Sequence, residues 1–200
     1  MRKNNLNLVK SLFNEYYLNV YLKWRIDNKK AGKDIVGEEY ELFRKKYYKS
    51  KGLVIADNKN VLNSKVNVDN VVMFNGKIVI LEEDKGSYVD GTFLKRAIID
   101  AATIFQKCFE ESIESPYFIL SSTTKMRNYD STFNRICLLF NENLKKEIEK
   151  KFIYLPLCNH GRVKKSIYFK TEINHFKLCD TLLENQESTI DKIINLSKND

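Results

Sequence analysis

The chain has 200 residues, 43% of them apolar, with a formal net charge of +8 and a pI near 9.1. These values predict one globular domain and exclude a disordered chain. The sequence has no apolar run of about 20 residues, so we expect no membrane helix and a bacterial cytoplasmic location. The basic balance favours a polyanionic partner such as nucleic acid, because positive charge attracts phosphates and releases their counterions.

The first third of the chain is expected to form two helices and a short strand. Apolar residues recur at three-to-four spacing over residues 6–26, and a second such pattern covers about residues 36–49. The stretch GLVIADNKNVLN that follows has Asp and Asn at its centre, which predicts a short strand and a turn.

The next stretch, VNVDNVVMFNGKIVILEED, predicts an antiparallel hairpin. Two β-branched runs are separated by Asn75-Gly76, and both residue types tolerate the positive φ that a two-residue turn requires. The strands are expected at about 66–74 and 77–84.

The remaining sequence predicts further helices and strands around this hairpin. In chain order these are a helix over 92–111, a strand over 117–120, a helix over 131–151, late strands over 152–157 and 166–170, and a short polar helix or tail over 185–200. The predicted class is α/β (α+β), with a small mixed sheet that contains the hairpin and is flanked by helices. We expect a single domain over 1–200, with N-terminal helices (1–50), a core (51–125) and a C-terminal helix and strands (126–200).

Three acids and a lysine end the second hairpin strand, in the stretch IVILEEDKGSY. Because side chains alternate along a strand, Glu83 and Lys85 share one face, and Glu82 and Asp84 share the other. With a two-residue turn, residues whose numbers sum to about 151 face each other, so Asp69 is expected opposite Glu82 or Glu83. Two carboxylates and Lys85 would then converge at the open end of the hairpin.

Convergent carboxylates repel each other unless a cation lies between them. Mg²⁺ suits such a pair, because it prefers oxygen ligands, keeps several waters and accepts substrate phosphates. A nearby lysine can hold the attacking water or stabilise the transition state. The pattern of Asp69, Glu83 and Lys85 therefore indicates phosphodiester hydrolysis, whereas the alternative interpretation is a solvated strand end.

The same residues carry a resemblance to a known family. Asp69, a gap of thirteen residues and then Glu-Asp-Lys at 83–85, followed by an amphipathic helix and a short strand, resemble the core of the PD-(D/E)xK nucleases. Residues 82–94, EEDKGSYVDGTFL, resemble more closely the small catalytic subunit of heterodimeric type IIS restriction endonucleases. The resemblance covers about residues 66–125, and Val68 stands where the family motif has proline.

The resemblance implies a restriction-endonuclease-like core and Mg²⁺-dependent cleavage of double-stranded DNA. Asp69 and Glu83 would be metal ligands, and Lys85 would be the catalytic base or the group that orients water. In this superfamily an acid from the first core helix often joins the site. The candidates for that acid are Glu15, Glu38 and Glu39, of which Glu39 is preferred.

The resemblance also implies a partner. A larger restriction-enzyme subunit would supply sequence recognition and cut the other strand, since one site hydrolyses one strand. Two alternatives are a homodimeric type II restriction endonuclease that reads its own sequence, and a non-catalytic DNA-binding or interaction protein.

A late loop could hold DNA by its phosphates, which requires only positive charge and reach. Arg162, Lys164 and Lys165 lie in the stretch GRVKK between the two late strands. Lysines in the predicted helix 131–151 alternate with glutamates, which is more typical of a solvated face.

Four side chains near the C-terminus raise the alternative of a zinc site, namely Cys158, His160, His175 and Cys179. The C-x-H spacing lacks the usual gap of two to four residues, and phenylalanines nearby suggest ordinary core alternation. We therefore expect free thiols and no zinc.

Overall fold

The computed structural model describes residues 2–22, 33–56, 61–158 and 172–198. In these ranges the chain forms α1 (Arg2–Tyr16, continued by the π-helical turns Tyr17–Leu22), α2 (Lys33–Ser50), β1 (Val54–Ala56), β2 (Asn70–Phe74), β3 (Lys77–Tyr88), α3 (Gly91–Glu111), β4 (Tyr117–Thr124), α4 (Tyr129–Cys137), α5 (Glu142–Lys151), β5 (Phe152–Cys158) and α6 (Glu172–Leu196). A 3-10 turn, Val61–Asn63, lies between β1 and β2. None of the helices in the described ranges is long and apolar enough to cross a membrane.

The five strands form one open mixed sheet in the order β1-β2-β3-β4-β5. The pairs β1–β2 and β2–β3 are antiparallel, whereas β3–β4 and β4–β5 are parallel. The central strand, β3, is the longest, with 12 residues. The predicted mixed α/β class, with a hairpin inside a small sheet, is confirmed.

The hairpin turns at Asn75-Gly76, as predicted. Asn75 has φ 49° and Gly76 has φ 78°, which are the positive values of a type I′ turn. A register shift between Val72 and Met73 then places Asn70 opposite Glu82. This shift brings Asp69, the residue before β2, alongside the three acids of β3.

Helices cover both faces of the sheet and enclose two separate cores. Residues of α1, α2 and α6 pack with Ile80 on one face, and residues of α3, α4 and α5 pack with Leu81 on the other. Ile80 and Leu81 therefore point into different layers. Because side chains alternate along a strand, the layers of Ile80 and Leu81 predict which layer each of the following acids enters.

Several predicted boundaries were wrong. The hairpin strands expected at about 66–74 and 77–84 are Asn70–Phe74 and Lys77–Tyr88. The predicted helix 131–151 is two helices, because the Asn141 side chain accepts a hydrogen bond from the Leu144 N–H at 2.9 Å and caps a new helix. The strand predicted over 117–120 continues to Thr124. The polar tail is the end of α6, a 25-residue helix. The strand predicted over 166–170 lies outside the described residues.

Gly86 lies where β3 passes under the start of α2. A Cβ atom at Gly86 would be 2.5 Å from the Val36 carbonyl oxygen, which is main chain and cannot rotate away. We expect Gly86→Ala to lower the free energy of unfolding by about 2–3 kcal/mol, the upper part of the range for overpacking. Urea denaturation followed by circular dichroism measures the change.

The matched control is Gly37→Ala in α2. A Cβ atom at Gly37 meets nothing within 4 Å. Alanine should therefore be neutral there, or stabilise the helix by up to about 1 kcal/mol. Equal stability of the two variants would contradict the close approach of α2 to β3.

Candidate active site

Asp69 is fixed against β3 by two hydrogen bonds. Its backbone N–H donates to the Glu82 carbonyl at 3.0 Å, and its Oδ2 accepts from the Asp84 backbone N–H at 2.7 Å. Among the neighbouring charges, that of Asp69 has the largest effect on the pKa of Glu83, which lies on the α3 side of β3 together with the charges of Arg96 and Asp100. The carboxylate of Asp69 thus lies on the same side of the sheet as Glu83.

The charged run of β3 divides between the two layers as alternation requires. Glu82 and Asp84 point toward α2, where each bonds to buried partners. Lys85 points toward α3, with its Nζ 4.3 Å from the centre of the Phe93 ring. The face that carries Glu83 and Lys85 therefore also carries Asp69.

Glu83 has an acidic environment. Burial raises its pKa to about 8, and the charge of Asp69 is the second cause. Asp100 of α3 and Glu41 of α2 raise this pKa further, whereas Arg96 lowers it. Without a cation, Glu83 consequently holds a proton at neutral pH, and a bound divalent cation would take the place of that proton.

The donor set of this site suits Mg²⁺. Both side chains that converge, Asp69 and Glu83, offer carboxylate oxygens, and Mg²⁺ commonly binds through one or two carboxylates with water and substrate phosphate completing its shell. Within the described ranges, no group of three or more His, Cys, Asp or Glu side chains is arranged to hold a metal ion. A cation bound between Asp69 and Glu83 would therefore complete its shell with water, substrate phosphate or a further acid.

A buried ion pair supports β3 from the other side. Arg44 of α2 donates to Glu82 at 2.5 Å, and both side chains are completely buried. Arg44 also donates to the Tyr48 hydroxyl at 2.9 Å, and its guanidinium lies 5.1 and 5.0 Å from the Tyr47 and Tyr48 ring centres. Burial raises the pKa of Glu82, and the guanidinium opposes this rise.

Asp84 belongs to the same buried layer. It accepts from Asn70 Nδ2 at 2.7 Å and from Ser121 Oγ at 2.9 Å, and the Tyr40 hydroxyl lies 2.8 Å from that Oγ. Burial raises the pKa of Asp84 well above its usual range. Because its own N–H binds Asp69, this network holds a predicted metal ligand in place. Glu82 and Asp84 are therefore bonded inside the fold and do not form a solvated strand end.

Three acids of α2, namely Glu38, Glu39 and Glu41, are candidates to join Asp69 and Glu83. Glu39 is exposed on α2, as is Glu38. Glu41 is the α2 acid whose charge raises the pKa of Glu83, although it also lies 3.7 Å from Lys45. Sequence reasoning missed Glu41, since its signal depends on how α2 crosses the sheet. Glu39 stays a prediction, and Glu41 is a second candidate.

Several predicted binding residues cannot be placed. Arg162, Lys164 and Lys165 lie outside the described residues, as does His160. The side chains of Cys158, His175 and Cys179 are also outside the described part of the chain. The late basic loop and the zinc alternative therefore stay predictions.

No protein-family model, curated protein or solved structure matches the chain. The placement of Asp69, Glu83 and Lys85 on one face is thus the main support for a functional proposal.

Proposed function

We propose that the chain is a Mg²⁺-dependent DNA endonuclease with a site of the PD-(D/E)xK type. Asp69 and Glu83 are its metal ligands, and Lys85 orients the attacking water. The observation that carries the proposal is the meeting of Asp69 and Glu83 on the α3 side, where burial and the charge of Asp69 raise the pKa of Glu83 to about 8. An acid pair of this kind is stabilised by a divalent cation.

Each of these side chains is positioned by its surroundings. Bound Mg²⁺ would supply Lewis-acid chemistry and charge neutralisation at the scissile phosphate. Asp69 presents its carboxylate in an orientation fixed by the Asp84 N–H. The ring of Phe93 stabilises the Lys85 ammonium, which can donate a hydrogen bond to water or to a phosphate oxygen that gains charge.

The order of elements supports the finer fold proposal. The hairpin β2–β3 is followed by α3 and then by β4, which pairs in parallel with β3. The resemblance to a restriction-endonuclease-like core implies this succession of hairpin, helix and strand. This order of elements supports the fold proposal more than the proposed activity, because one fold can host many activities.

One site hydrolyses one strand, so a double-strand break requires a second site. We therefore propose that the chain acts as the small catalytic subunit of a heterodimeric type IIS restriction enzyme. A larger subunit supplies sequence recognition and cuts the other strand. Site-specific double-strand cleavage by the isolated chain would contradict this partner and favour a homodimeric enzyme.

The first test is metal binding, which needs neither DNA nor a partner. Isothermal titration with MgCl₂ should show binding to the wild-type chain, with release of a proton at neutral pH because Glu83 must ionise. Asp69→Asn should abolish that binding. Retention of full Mg²⁺ affinity by Asp69→Asn would contradict the assignment of the ligands.

The second test is cleavage of supercoiled plasmid DNA with Mg²⁺, by the chain alone and in cell extract of its source. We expect Lys85→Ala to lower the rate by about 10²–10⁴-fold, the usual contribution of a positioned proton-transfer or charge-stabilising group. Lys146→Ala, which removes an exposed lysine from α5, is the control and should leave the rate unchanged. Undiminished cleavage by Lys85→Ala would reject the site.

A further inference from the structure

The end of β4 lies beside the proposed active site. Lys85 pairs with Ser122, and Tyr88 pairs with Thr124, in the parallel register of β3 and β4. The chain leaves the sheet after Thr124, and the segment 125–127 forms a corner, here called the β4 corner. Lys125 follows Ser122 by three residues and Arg127 by five, so their Cα atoms lie at most roughly 11 and 18 Å from that of Ser122.

The β4 corner is held by the hydroxyl of Tyr154. This hydroxyl donates to the Thr124 carbonyl at 3.1 Å and accepts from the Met126 N–H at 2.8 Å. The Ser122 hydroxyl lies 3.0 Å from it, and the Tyr129 ring stacks on the Tyr154 ring with centres 4.5 Å apart. The peptide groups on both sides of residue 125 are consequently fixed, so the corner presents its side chains from a rigid base.

Two of those side chains are exposed cations. Lys125 and Arg127 are both exposed, and neither pairs with an acid in the described part of the chain. On the neighbouring helices, Lys107 lies 3.4 Å from Glu111 and Lys145 lies 3.9 Å from Glu142, whereas the exposed Lys146 and Lys150 of α5 lie outside the β4 corner. The charge of the β4 corner is therefore available to an external anion.

We propose that Lys125 and Arg127 bind a backbone phosphate of duplex DNA near the cut. This inference rests on the proposed nuclease function and adds a binding site to it. The reach of the chain keeps the β4 corner within about five nucleotides of Ser122, the strand partner of Lys85, at about 3.4 Å of helix axis per phosphate on each strand. A rigid corner loses little conformational freedom when the phosphate binds.

The test is DNA binding without divalent cations, so that no cleavage occurs. Fluorescence anisotropy with a labelled duplex oligonucleotide, repeated over a series of KCl concentrations, gives the affinity and its salt dependence. We expect the double variant Lys125→Ala/Arg127→Ala to bind about tenfold more weakly. The slope of log K against log[KCl] should become less steep by about 1, because one lost phosphate contact removes about 0.9 from its magnitude.

The control is Lys146→Ala/Lys150→Ala, which removes the same charge from the exposed side of α5 and should match the wild-type slope. A wild-type slope in the Lys125→Ala/Arg127→Ala variant, or no duplex binding by the wild-type chain at low salt, would overturn the β4 corner as a phosphate site. Corner-dependent binding without Mg²⁺-dependent cleavage would keep the corner and reject the nuclease. Cleavage and binding that are both unaffected by the corner variant would reject the corner alone.

Discussion

Replacing Arg44 by methionine is expected to lower the free energy of unfolding by about 3–5 kcal/mol, the usual cost of removing one partner from a buried ion pair. Glu82 would remain completely buried without the guanidinium that lies 2.5 Å away. The Tyr47 and Tyr48 rings would also lose the cation that packs against them. Urea denaturation at neutral pH measures the loss.

Two further variants separate the charge from the packing. Arg44→Met/Glu82→Leu should recover most of the lost stability, since an apolar pair leaves no buried charge unpaired. Lys45→Ala removes the next residue of α2, whose partner Glu41 is 3.7 Å away at the partly exposed surface, and should cost less than about 1 kcal/mol. A cost for Arg44→Met no larger than that for Lys45→Ala would show that the ion pair contributes nothing of this size.

Glu83→Gln is expected to abolish Mg²⁺-dependent cleavage and to stabilise the metal-free fold at pH 8. The folded-state pKa of Glu83 is about 8, above its ordinary value of 4.5, so the folded protein holds this proton more tightly than the unfolded chain does. The stability that the proton contributes is fully present below about pH 4.5 and is lost as the pH rises to about 8. Glutamine resembles the protonated carboxyl and keeps that stability at every pH.

The difference between the variant and the wild type should therefore grow with pH. The difference in free energy of unfolding should be close to zero at pH 4.5 and on the order of 2 kcal/mol at pH 8. The full pKa shift, at about 1.4 kcal/mol per pKa unit, would give a larger value, but Glu83 is only partly buried and solvent screens its charge. Chemical denaturation in EDTA at both pH values measures it, with the exposed Glu38→Gln as control. Added MgCl₂ should raise the melting temperature of the wild type and not of Glu83→Gln. A difference that does not change with pH would contradict the buried acid pair.

The hairpin and its two faces could be predicted because local rules determine them. Asn75-Gly76 specifies the turn, and the period of two along β3 then assigns Glu83 and Lys85 to one face. The same alternation gave the position of Asp69 to within one residue. The register shift at Val72/Met73 could not be predicted from the sequence, since a bulge depends on the packing of both strands.

Features that depend on how helices cross the sheet could not be predicted. The partner of Glu82 is Arg44, 38 residues earlier in the chain, and nothing local to either residue indicates the pairing. The same reason explains why Glu39 was preferred to Glu41, because the phase of α2 against β3 decides which acid approaches Glu83. The polar residues Ser121 and Asn70 inside apolar strands indicate that a buried polar network exists. They do not indicate which other side chains belong to that network.

The strands of the sheet are ordered as they occur along the chain, and this order bears on how the protein folds. Each strand pairs with the next one, so pairing can spread from the Asn75-Gly76 hairpin through short chain closures, which favours rapid folding. Contacts of the helices close longer loops: the Tyr16 hydroxyl of α1 reaches Gly86 and Thr123, separated from it by 70 and 107 residues, and Lys51 reaches Asp191 across 140 residues. We expect the acid pair to meet early, within the hairpin, and the strand end beyond Lys85 to become rigid late, when α1 docks on the ends of β3 and β4.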